Sequence, residues 1–185
     1  MKSKAPDPDI VVRDARASDI EDLAALSAAI FAASFSHFQS PENLSQFLEE
    51  KHSSVYYQEV FEDPDAILWV VETDLNLAGY CLLRPNTLPC DPPWPTALEM
   101  SRIYIDASLQ GRGVGADILQ RAIGFGKAQG FSGLVLGVFS ENYGAQRFYK
   151  RHGFTKRGEF DFPIGGQIDR DYLYGLTFTS ETDDG

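Results

Sequence analysis

The stretch DASLQGRGVGADILQRAIGFG, residues 106–126, places Gly111, Gly113 and Gly115 at alternate positions and then continues as an apolar helical pattern. Glycine before a helix lets the backbone adopt positive φ and approach a ligand closely. The start of a helix presents N–H groups without an intrahelical partner, and the helix dipole adds partial positive charge. The stretch therefore indicates a cradle for a phosphate or pyrophosphate, although a tight strand-to-helix turn without a ligand would use the same glycines.

Composition restricts the class of protein. The 185 residues are 43% hydrophobic, which predicts one globular domain with a real core. The formal net charge of −11 argues against nucleic acid or an anionic membrane as the main partner, because both require a positive surface. It suits a cationic substrate, or it simply keeps the protein soluble. The opening residues do not resemble a secretory signal, and no apolar run approaches a membrane span. We therefore expect a cytoplasmic protein in which Cys81 and Cys90 form no disulfide.

Helical and strand patterns alternate along the chain in the order β-α-α-α-β-β-β-α-β-α-β-β. Ser18, with Glu21 completing a capping box, predicts the start of the first helix, and Ser40 before Pro41 predicts the start of the second. The apolar runs AILWVVET and LAGYCLLR predict a hairpin, and FTKRGEFDF and RDYLYGLTF predict a terminal pair of strands. This order indicates an α/β protein with a mixed sheet in one domain.

Two nucleotide-binding motifs are alternatives for the glycine loop. GRGVGA fits the dinucleotide pattern G-x-G-x-x-A at Gly111, Gly113 and Ala116, but a Rossmann domain carries this loop after its first strand. Here the loop lies late and the chain ends in an antiparallel pair. The pattern of P-loop nucleotide hydrolases is missing from the sequence. The better match is Q-x-x-G-x-G, formed by Gln110, Gly113 and Gly115 after the strand RIYI.

This loop resembles motif A of the GNAT acetyltransferases, in which loop amides hold the pyrophosphate of coenzyme A. About thirty residues later, NYGAQRFYKRHGF resembles the second family signature, N-x-x-A-x-x-F-Y-x-x-x-G-F. The resemblance runs from Ile10 to Phe178, with Ala107 where the family usually has proline. It implies a single-domain GNAT fold, with a mixed, mostly antiparallel twisted sheet flanked by helices, and acetyl-CoA as co-substrate. The expected divisions are a disordered tail at 1–9, the GNAT domain at 10–178 and an acidic tail at 179–185.

The resemblance also implies a cofactor site. Strand residues before the loop would pair with the pantetheine, and the loop amides would take the pyrophosphate. Asn142 would hydrogen-bond the pantetheine, cap a helix or do both. Arg112 and Arg147 would add positive charge, or would simply be solvated. The full set is Ile103, Tyr104, Ile105, Gln110, Gly111, Arg112, Gly113, Val114, Gly115, Asn142, Arg147 and Tyr149.

Acetyl transfer to an amine also needs a base and an acid. An alkylammonium with a pKa of roughly 10.4 is about three units from neutrality at pH 7, so a general base must help. Glu99 is the candidate, because family members often carry a glutamate here that acts through water. Strand parity predicts that Glu99, Ser101, Ile103 and Ile105 share one face. An exposed or salt-bridged structural glutamate fits the same pattern.

Tyr149 is the candidate acid. The resemblance implies that the tyrosine of the F-Y pair points at the sulfur of coenzyme A and protonates the departing thiolate. A phenol with a pKa of about 10 donates uphill to a thiolate of about 8.5, so the donor must be well positioned. The alternative role of Tyr149 is that of an aromatic residue in the core.

The acceptor amine is predicted by a narrower resemblance. Four segments resemble the bacterial spermidine/spermine (PaiA-like) type of the family. They are FAASFSHFQSPENLSQFLEE, LEMSRIYI, LGVFSENYGAQRFYKRHGF and GEFDFPIGGQIDRDYLYGL. This implies a polyamine acceptor, which carboxylates and aromatic faces would bind. The alternative acceptors are a protein N-terminus and a small amine such as an amino sugar. The alternative function is that of a coenzyme-A-binding regulator without turnover. A homodimer is expected from the family alone, and the spacing of His37, His52 and His152 predicts no metal. The implied acceptor residues are Phe35, His37 and Phe38, with Tyr56 and Tyr57 as further candidates.

Overall fold

The computed structural model describes residues 10–74 and 76–179. The predicted disordered tail at 1–9 and residues 180–185 of the predicted acidic tail lie outside this part of the chain. The helices are α1 (Ile20–Phe35), α2 (Pro41–Lys51), α3 (Ser54–Glu62), α4 (Val114–Ala128) and α5 (Tyr143–Arg151). The strands are β1 (Val11–Asp14), β2 (Ile67–Glu72), β3 (Leu77–Pro85), β4 (Ala97–Ile105), β5 (Gly133–Phe139), β6 (Thr155–Ile164) and β7 (Gln167–Thr177).

The seven strands described form one sheet in the order β1-β2-β3-β4-β5-β7-β6. Every neighbouring pair is antiparallel except β4 and β5, which are parallel. Helices α4 and α5 bury Ile118, Leu119 and Tyr149 against one face of the sheet. Helices α1 and α3 bury Leu23 and Tyr57 against the other face. The predicted α/β domain with a mixed, mostly antiparallel sheet flanked by helices is confirmed.

The start of α1 differs from the prediction. Ser18 lies inside a short 3-10 turn, Ala17–Asp19, so the proposed Ser18 cap and its capping box with Glu21 are wrong. The carboxylate of Asp19 accepts the N–H of Arg16 at 2.7 Å and is paired with the guanidinium of Arg13 at 2.7 Å. The Asp19 carboxylate therefore caps the 3-10 turn, and no side chain among the described residues caps α1 itself. The predicted cap of α2 is confirmed, since the Ser40 side chain accepts the N–H of Asn43.

The sheet opens between its two parallel strands. β4 pairs with β5 only over Ala97–Glu99, opposite residues 133–135. Beyond that point β4 stays paired with β3 as far as Ile105, while β5 stays paired with β7 as far as Phe139. The backbone edges of β4 and β5 therefore separate and leave a gap within the sheet.

A β-bulge in β4 changes which residues face this gap. Leu83 pairs with Met100, but its neighbour Leu82 pairs with Arg102, so Ser101 is the additional residue. Such a bulge re-aims the side chains that follow it.

The bulge overturns the parity prediction for β4. Met100 belongs to the core beneath α4, and Ile103 and Ile105 pack against that same core. Glu99 lies on the opposite face, where Tyr104 stacks on the α1 side of the sheet. The expectation that Glu99 shares a face with Ile103 and Ile105 is wrong, because it assumed unbroken alternation along the strand.

Candidate active site

The gap between β4 and β5 forms a cleft with a volume of about 410 Å³. Residues of the two separated strands line it, together with α5 and the end of α2. The aromatic residues of its wall are Phe31, Phe35, Phe47, His52, Tyr56, Tyr104, Phe139, Tyr149 and Phe162. The charged residues of its wall are Lys51, Arg84, Glu99, Arg102, Asp169 and Asp171.

The glycine loop joins the end of β4 to the start of α4. Gly111 and Gly113 have φ values of 76° and 88°, in the left-handed region that favours glycine. Gly113 is the N-cap residue of α4, and no side chain caps this helix. In the described residues, the N–H groups of Gly111 and Gly113 donate to no backbone carbonyl. Together with the unpaired amides of the first turn, these groups fit an anion such as a pyrophosphate.

The other loop residues contribute in different ways. A Cβ atom on Gly115 would lie 3.3 Å from Cδ1 of Ile105, so this glycine lets α4 approach β4. Val114 is buried, whereas Arg112 is exposed. The side-chain amide of Gln110 lies 3.4 Å from the carbonyl oxygen of Ile105. The loop is therefore anchored to the strand that precedes it.

Tyr149 reaches the cleft from α5. Asn142 caps this helix by accepting the N–H of Ala145 at 3.0 Å and also lines the cleft. The ring of Tyr149 packs edge-on against Phe148 and Phe154. Burial raises the pKa of the Tyr149 phenol, which stays protonated at neutral pH. No group among the described residues hydrogen-bonds its hydroxyl, so the cleft contains an O–H donor without a protein partner.

Glu99 lines the cleft from β4, but its carboxylate is already well hydrogen-bonded. Its Oε2 accepts the backbone N–H and the hydroxyl of Thr87, both at 2.8 Å. Its Oε1 accepts the hydroxyl of Ser101. The side chain is buried. These bonds attach the loop that follows β3 to the bulge of β4.

Asp171 is an acidic residue of the cleft that is not among the predicted site residues. It lies on β7 opposite Phe139. Burial, and secondarily the neighbouring Asp169, raises the pKa of Asp171 to about 7. Asp169 accepts hydrogen bonds from Gln39 and Gln167 at 2.7 and 2.6 Å, whereas no described residue hydrogen-bonds the Asp171 carboxylate. A partly charged, unpartnered carboxylate in a cleft is suited to proton transfer.

A signal for Asp171 is present in the sequence. In the segment DRDYLYGL, Asp169 and Asp171 have the same strand parity as Leu173, which is buried. Two carboxylates on the inward face of a strand are unusual and indicate a functional or paired role.

The predicted acceptor residues are not all brought to the cleft. Phe35 and Tyr56 line it. His37 and Phe38 are exposed and do not line it, although Phe38 packs on Phe139 with 5.1 Å between ring centroids. Tyr57 is buried beneath the cleft wall. Arg147, a predicted cofactor residue, is exposed on α5 and lies outside the cleft lining.

A buried polar network supports the wall formed by α2, β3 and β4. The hydroxyl of Ser27 lies 2.6 and 2.7 Å from the hydroxyls of Tyr57 and Tyr80 and also contacts Nδ1 of His52. Burial, together with the charge of Arg102, lowers the pKa of His52 to about 3, so its imidazole is neutral. Arg102 itself donates to the Tyr57 hydroxyl at 2.7 Å. The network holds a guanidinium in a fixed position at the cleft.

Other features of the described chain bear on the sequence predictions. Cys81 and Cys90 are both free thiols. In residues 10–74 and 76–179, no group of three or more His, Cys, Asp or Glu side chains is arranged to hold a metal ion. Among these residues, no helix has the length and apolar character needed to cross a membrane.

The chain also matches a known protein family. The model of a family described as the acetyltransferase (GNAT) family matches residues 31–154. This range contains β4, the glycine loop, α4 and Tyr149. The chain belongs to the GNAT acetyltransferase family. This GNAT protein is therefore an N-acetyltransferase whose co-substrate is acetyl-CoA.

Individual relatives agree with the family assignment. An uncharacterised N-acetyltransferase of the pepI 3′ region in Lactobacillus delbrueckii subsp. lactis is 30% identical over 155 residues, covering 84% of this chain and 90% of its own. A protein of Bacillus subtilis, named as a ribosomal protein bS18-alanine N-acetyltransferase, is 28% identical over 160 residues, 85% of each chain. The crystal structure of the PaiA N-acetyltransferase of Thermoplasma acidophilum with coenzyme A has a TM-score of 0.74 and 18% identity, covering 92% of this chain and 99% of its own. At that identity the likeness shows the fold alone.

Proposed function

We propose that this GNAT enzyme acetylates the primary amine of a small molecule bound in the cleft between β4 and β5. The observation that carries the proposal is a pair of groups in one cleft that have no hydrogen-bond partner among the described residues, the Tyr149 hydroxyl and the Asp171 carboxylate. One is a proton donor and the other a proton acceptor near neutral pH, as amine acetylation requires.

The glycine loop and the open edge of β4 would hold the co-substrate. When bound, acetyl-CoA would supply its acetyl group to the amine, and coenzyme A would leave as the free thiol. The N–H groups of Gly111, Gly113 and the first turn of α4 would bind its pyrophosphate. Because β4 loses its β5 partner after Glu99, the backbone of Ile103 and Ile105 offers an edge to which the pantetheine could add as an extra strand.

Asp171 is our candidate for the general base. Its carboxylate would take a proton from the ammonium, directly or through water. The neutral amine would then attack the carbonyl carbon, so that the C–N bond forms and the C–S bond breaks, and the nitrogen would lose its second proton to water. Its pKa of about 7 suits a base acting near neutrality. Glu99, the base predicted from the sequence, is the second candidate, but its three hydrogen bonds favour a positioning role for the Thr87 loop. Tyr149 would donate its phenolic proton to the departing sulfur.

The nature of the acceptor follows from the wall opposite β4. Asp169, Asp171 and the aromatic rings of the cleft are groups that attract an ammonium ion. They would attract the reacting ammonium of any small amine, whether the polyamine predicted from the PaiA-like resemblance or another. The Bacillus subtilis relative adds an N-terminal alanine as a candidate.

A thiol-release assay tests the proposed function. The protein is incubated with acetyl-CoA and with spermidine, glucosamine, an alanine-starting peptide, a panel of small amines, or no acceptor. We expect amine-dependent release of thiol, with a single acetyl group on nitrogen in the product by mass spectrometry. A rate equal to the no-acceptor rate for every amine would refute the proposed function and favour a coenzyme-A-binding regulator.

A further inference from the structure

The wall of the cleft built by β3 and β4 carries two guanidinium groups without an acidic partner. Arg84 and Arg102 both line the cleft. In the described part of the chain, no Asp or Glu oxygen lies within 4.0 Å of either group, although Arg84 is paired in register with Glu99. Arginine stays charged when it is buried, so these positive charges are not neutralised by the protein.

Arg102 is held in place with part of its hydrogen-bonding capacity unused. Its Nη1 donates to the carbonyl of Lys51 at 2.6 Å and to the Tyr57 hydroxyl at 2.7 Å. Its guanidinium lies over the Tyr56 ring, 4.6 Å from the centroid. Nε and Nη2 have no acceptor among the described residues. A guanidinium fixed on one side and open on the other can bind an anion through two parallel hydrogen bonds.

Arg84 gives a second, independent indication. Its Nε is fully buried and has no hydrogen-bond partner. Its Nη2 lies 3.5 Å from the Tyr56 hydroxyl, at the limit of a hydrogen bond. A buried, charged N–H without an acceptor is costly, because it loses water and gains no bond in return. Because Arg84 also lines the cleft, an anion bound there would offset the uncompensated charge of its guanidinium.

The opposite wall of the cleft is acidic, because Asp169 and Asp171 lie on β7 across the gap from β4. One side of the cleft thus carries Arg84, Arg102 and Lys51 with a single carboxylate, Glu99, which is hydrogen-bonded to Thr87 and Ser101, and the other side carries the two aspartates. We propose that the acceptor is a zwitterion, a small amine whose carboxylate or phosphate group binds Arg84 and Arg102 while its amine faces Asp171. This inference rests on the proposed function and specifies its substrate class.

The charge of the cleft also predicts which amines are poor acceptors. A polyamine would place a second ammonium ion near Arg84, Arg102 and Lys51, where like charges repel and no anion replaces the missing hydrogen bonds. A zwitterion and a polyamine therefore carry opposite charges at the end of the molecule away from the reacting amine. Acceptors that differ only at that end distinguish the two substrate classes.

The test compares acceptors that share a carbon skeleton. The compounds 4-aminobutyrate, butylamine and 1,4-diaminobutane end in an anion, a neutral methyl group and a cation. Leucine with leucinamide, and 2-aminoethyl phosphate with ethanolamine, extend the comparison to α-amino acids and to phosphate. We expect kcat/KM to be about 10- to 100-fold higher for the anionic member of at least one series, as charged hydrogen bonds from arginine imply.

Substitutions assign the difference to the two arginines. Arg84→Gln and Arg102→Gln should raise KM for the anionic acceptor about 10-fold or more and change KM for its neutral analogue little. The KM of Arg84→Lys for the anionic acceptor should lie between those of the wild type and Arg84→Gln, because lysine keeps the charge and loses the forked pair of guanidinium N–H donors. Lys127→Gln, at the exposed end of α4, removes the same charge outside the cleft and should leave both KM values unchanged. Unchanged affinity for coenzyme A shows that a variant is folded.

Each remaining outcome opposes the inference. Equal kcat/KM for anionic and neutral members, preference for the diamine, or a loss in Arg84→Gln that is the same for all acceptors would overturn it. If spermidine or a peptide is acetylated and no anionic amine is, the inference fails and the proposed function stands. If no amine releases thiol, both fail.

Discussion

The glycine loop and the acceptor cleft are built in opposite ways. The loop is one continuous segment, residues 106–115, and its binding groups are backbone amides at the start of α4. The cleft collects side chains from α1, α2, α3 and α5 and from β3, β4, β5, β6 and β7. A site made of backbone depends on local conformation, so neighbouring residues define it. A site made of side chains depends on which strands the fold brings together.

The two regions also differ in electrostatics. In the proposed cofactor site, the loop would bind through peptide dipoles that do not titrate. The cleft holds ionisable groups whose properties are changed by burial, with the pKa of His52 lowered to about 3 and that of Asp171 raised to about 7. Mutations in the loop should therefore act on the affinity for acetyl-CoA, while mutations in the cleft should act on turnover and on its pH dependence.

The largest expected effect is that of Tyr149→Phe, which removes the proton donor and keeps the ring. We expect kcat to fall roughly 100-fold or more, as is typical of a lost general acid, with little change in the Kd for acetyl-CoA. Steady-state kinetics and calorimetry measure the two quantities. Tyr143→Phe, which alters an exposed tyrosine of the same helix, is the matched control and should behave as the wild type. A normal kcat in Tyr149→Phe would remove Tyr149 from the mechanism.

Asp171→Asn should have the next largest effect and should depend on pH. Because the pKa of Asp171 is raised to about 7, the basic form is lost as pH falls through 7, so wild-type kcat/KM should decline on that side. The variant should lose about 100-fold at pH 8, and its deficit should shrink as the pH is lowered. A parallel pH profile at lower rate would argue against the base role.

The same residue predicts a change in stability. The pKa of Asp171 is about 7 in the folded chain against an ordinary 3.8, so the folded state binds more protons between these values. The contribution of Asp171 to stability is therefore favourable at low pH and is lost as pH rises towards 7. Asp171→Asn should be more stable than the wild type at pH 8 and equal to it near pH 4. Denaturant titrations at both pH values measure the free energy of unfolding of the two proteins. Asp161→Asn, at an exposed position of β6, is the control.

Gly113→Val should weaken acetyl-CoA binding about 10-fold, because a β-branched residue disfavours the φ of 88° by roughly 1–2 kcal/mol. Space is not the cause, since a Cβ at Gly113 would meet no atom within 4 Å. Calorimetry with coenzyme A measures the loss. Gly124→Ala, in the interior of α4 with equal space around it, should bind normally. Equal affinity in a folded Gly113→Val would contradict the pyrophosphate cradle.

Glu99→Gln should have the smallest effect if Glu99 positions the Thr87 loop. An amide can keep some of its bonds to Thr87 and Ser101, so we expect kcat/KM to fall less than about 10-fold at every pH. A base role predicts a different result, a large loss near neutral pH that disappears as pH approaches the pKa of the amine. Comparing the pH profiles of Glu99→Gln and Asp171→Asn therefore decides which carboxylate takes the proton.

The sequence predicted the elements well where the signal was local. The order of strands and helices, the cap at Ser40 and the start of α4 after Gly113 all follow from neighbouring residues. The prediction failed at the start of α1, because Asp19 gains a partner, Arg13, from the adjacent strand. It failed again along β4, because a bulge at Ser101 is a property of two paired strands and not of one.

What the sequence determined by itself is the set of local features on which the proposed cofactor site depends. Glycines with positive φ, a helix start and a tyrosine at a fixed helical position are local features, and backbone conformation follows from local sequence. Only the tertiary structure decided the acceptor side. Arg84, Arg102 and Asp171 come from β3, β4 and β7 and meet because β4 and β5 separate within the sheet. The two arginines lack an acidic partner, and the pKa of Asp171 is raised, because of how these side chains are buried among residues distant in sequence. No local sequence pattern predicts that burial.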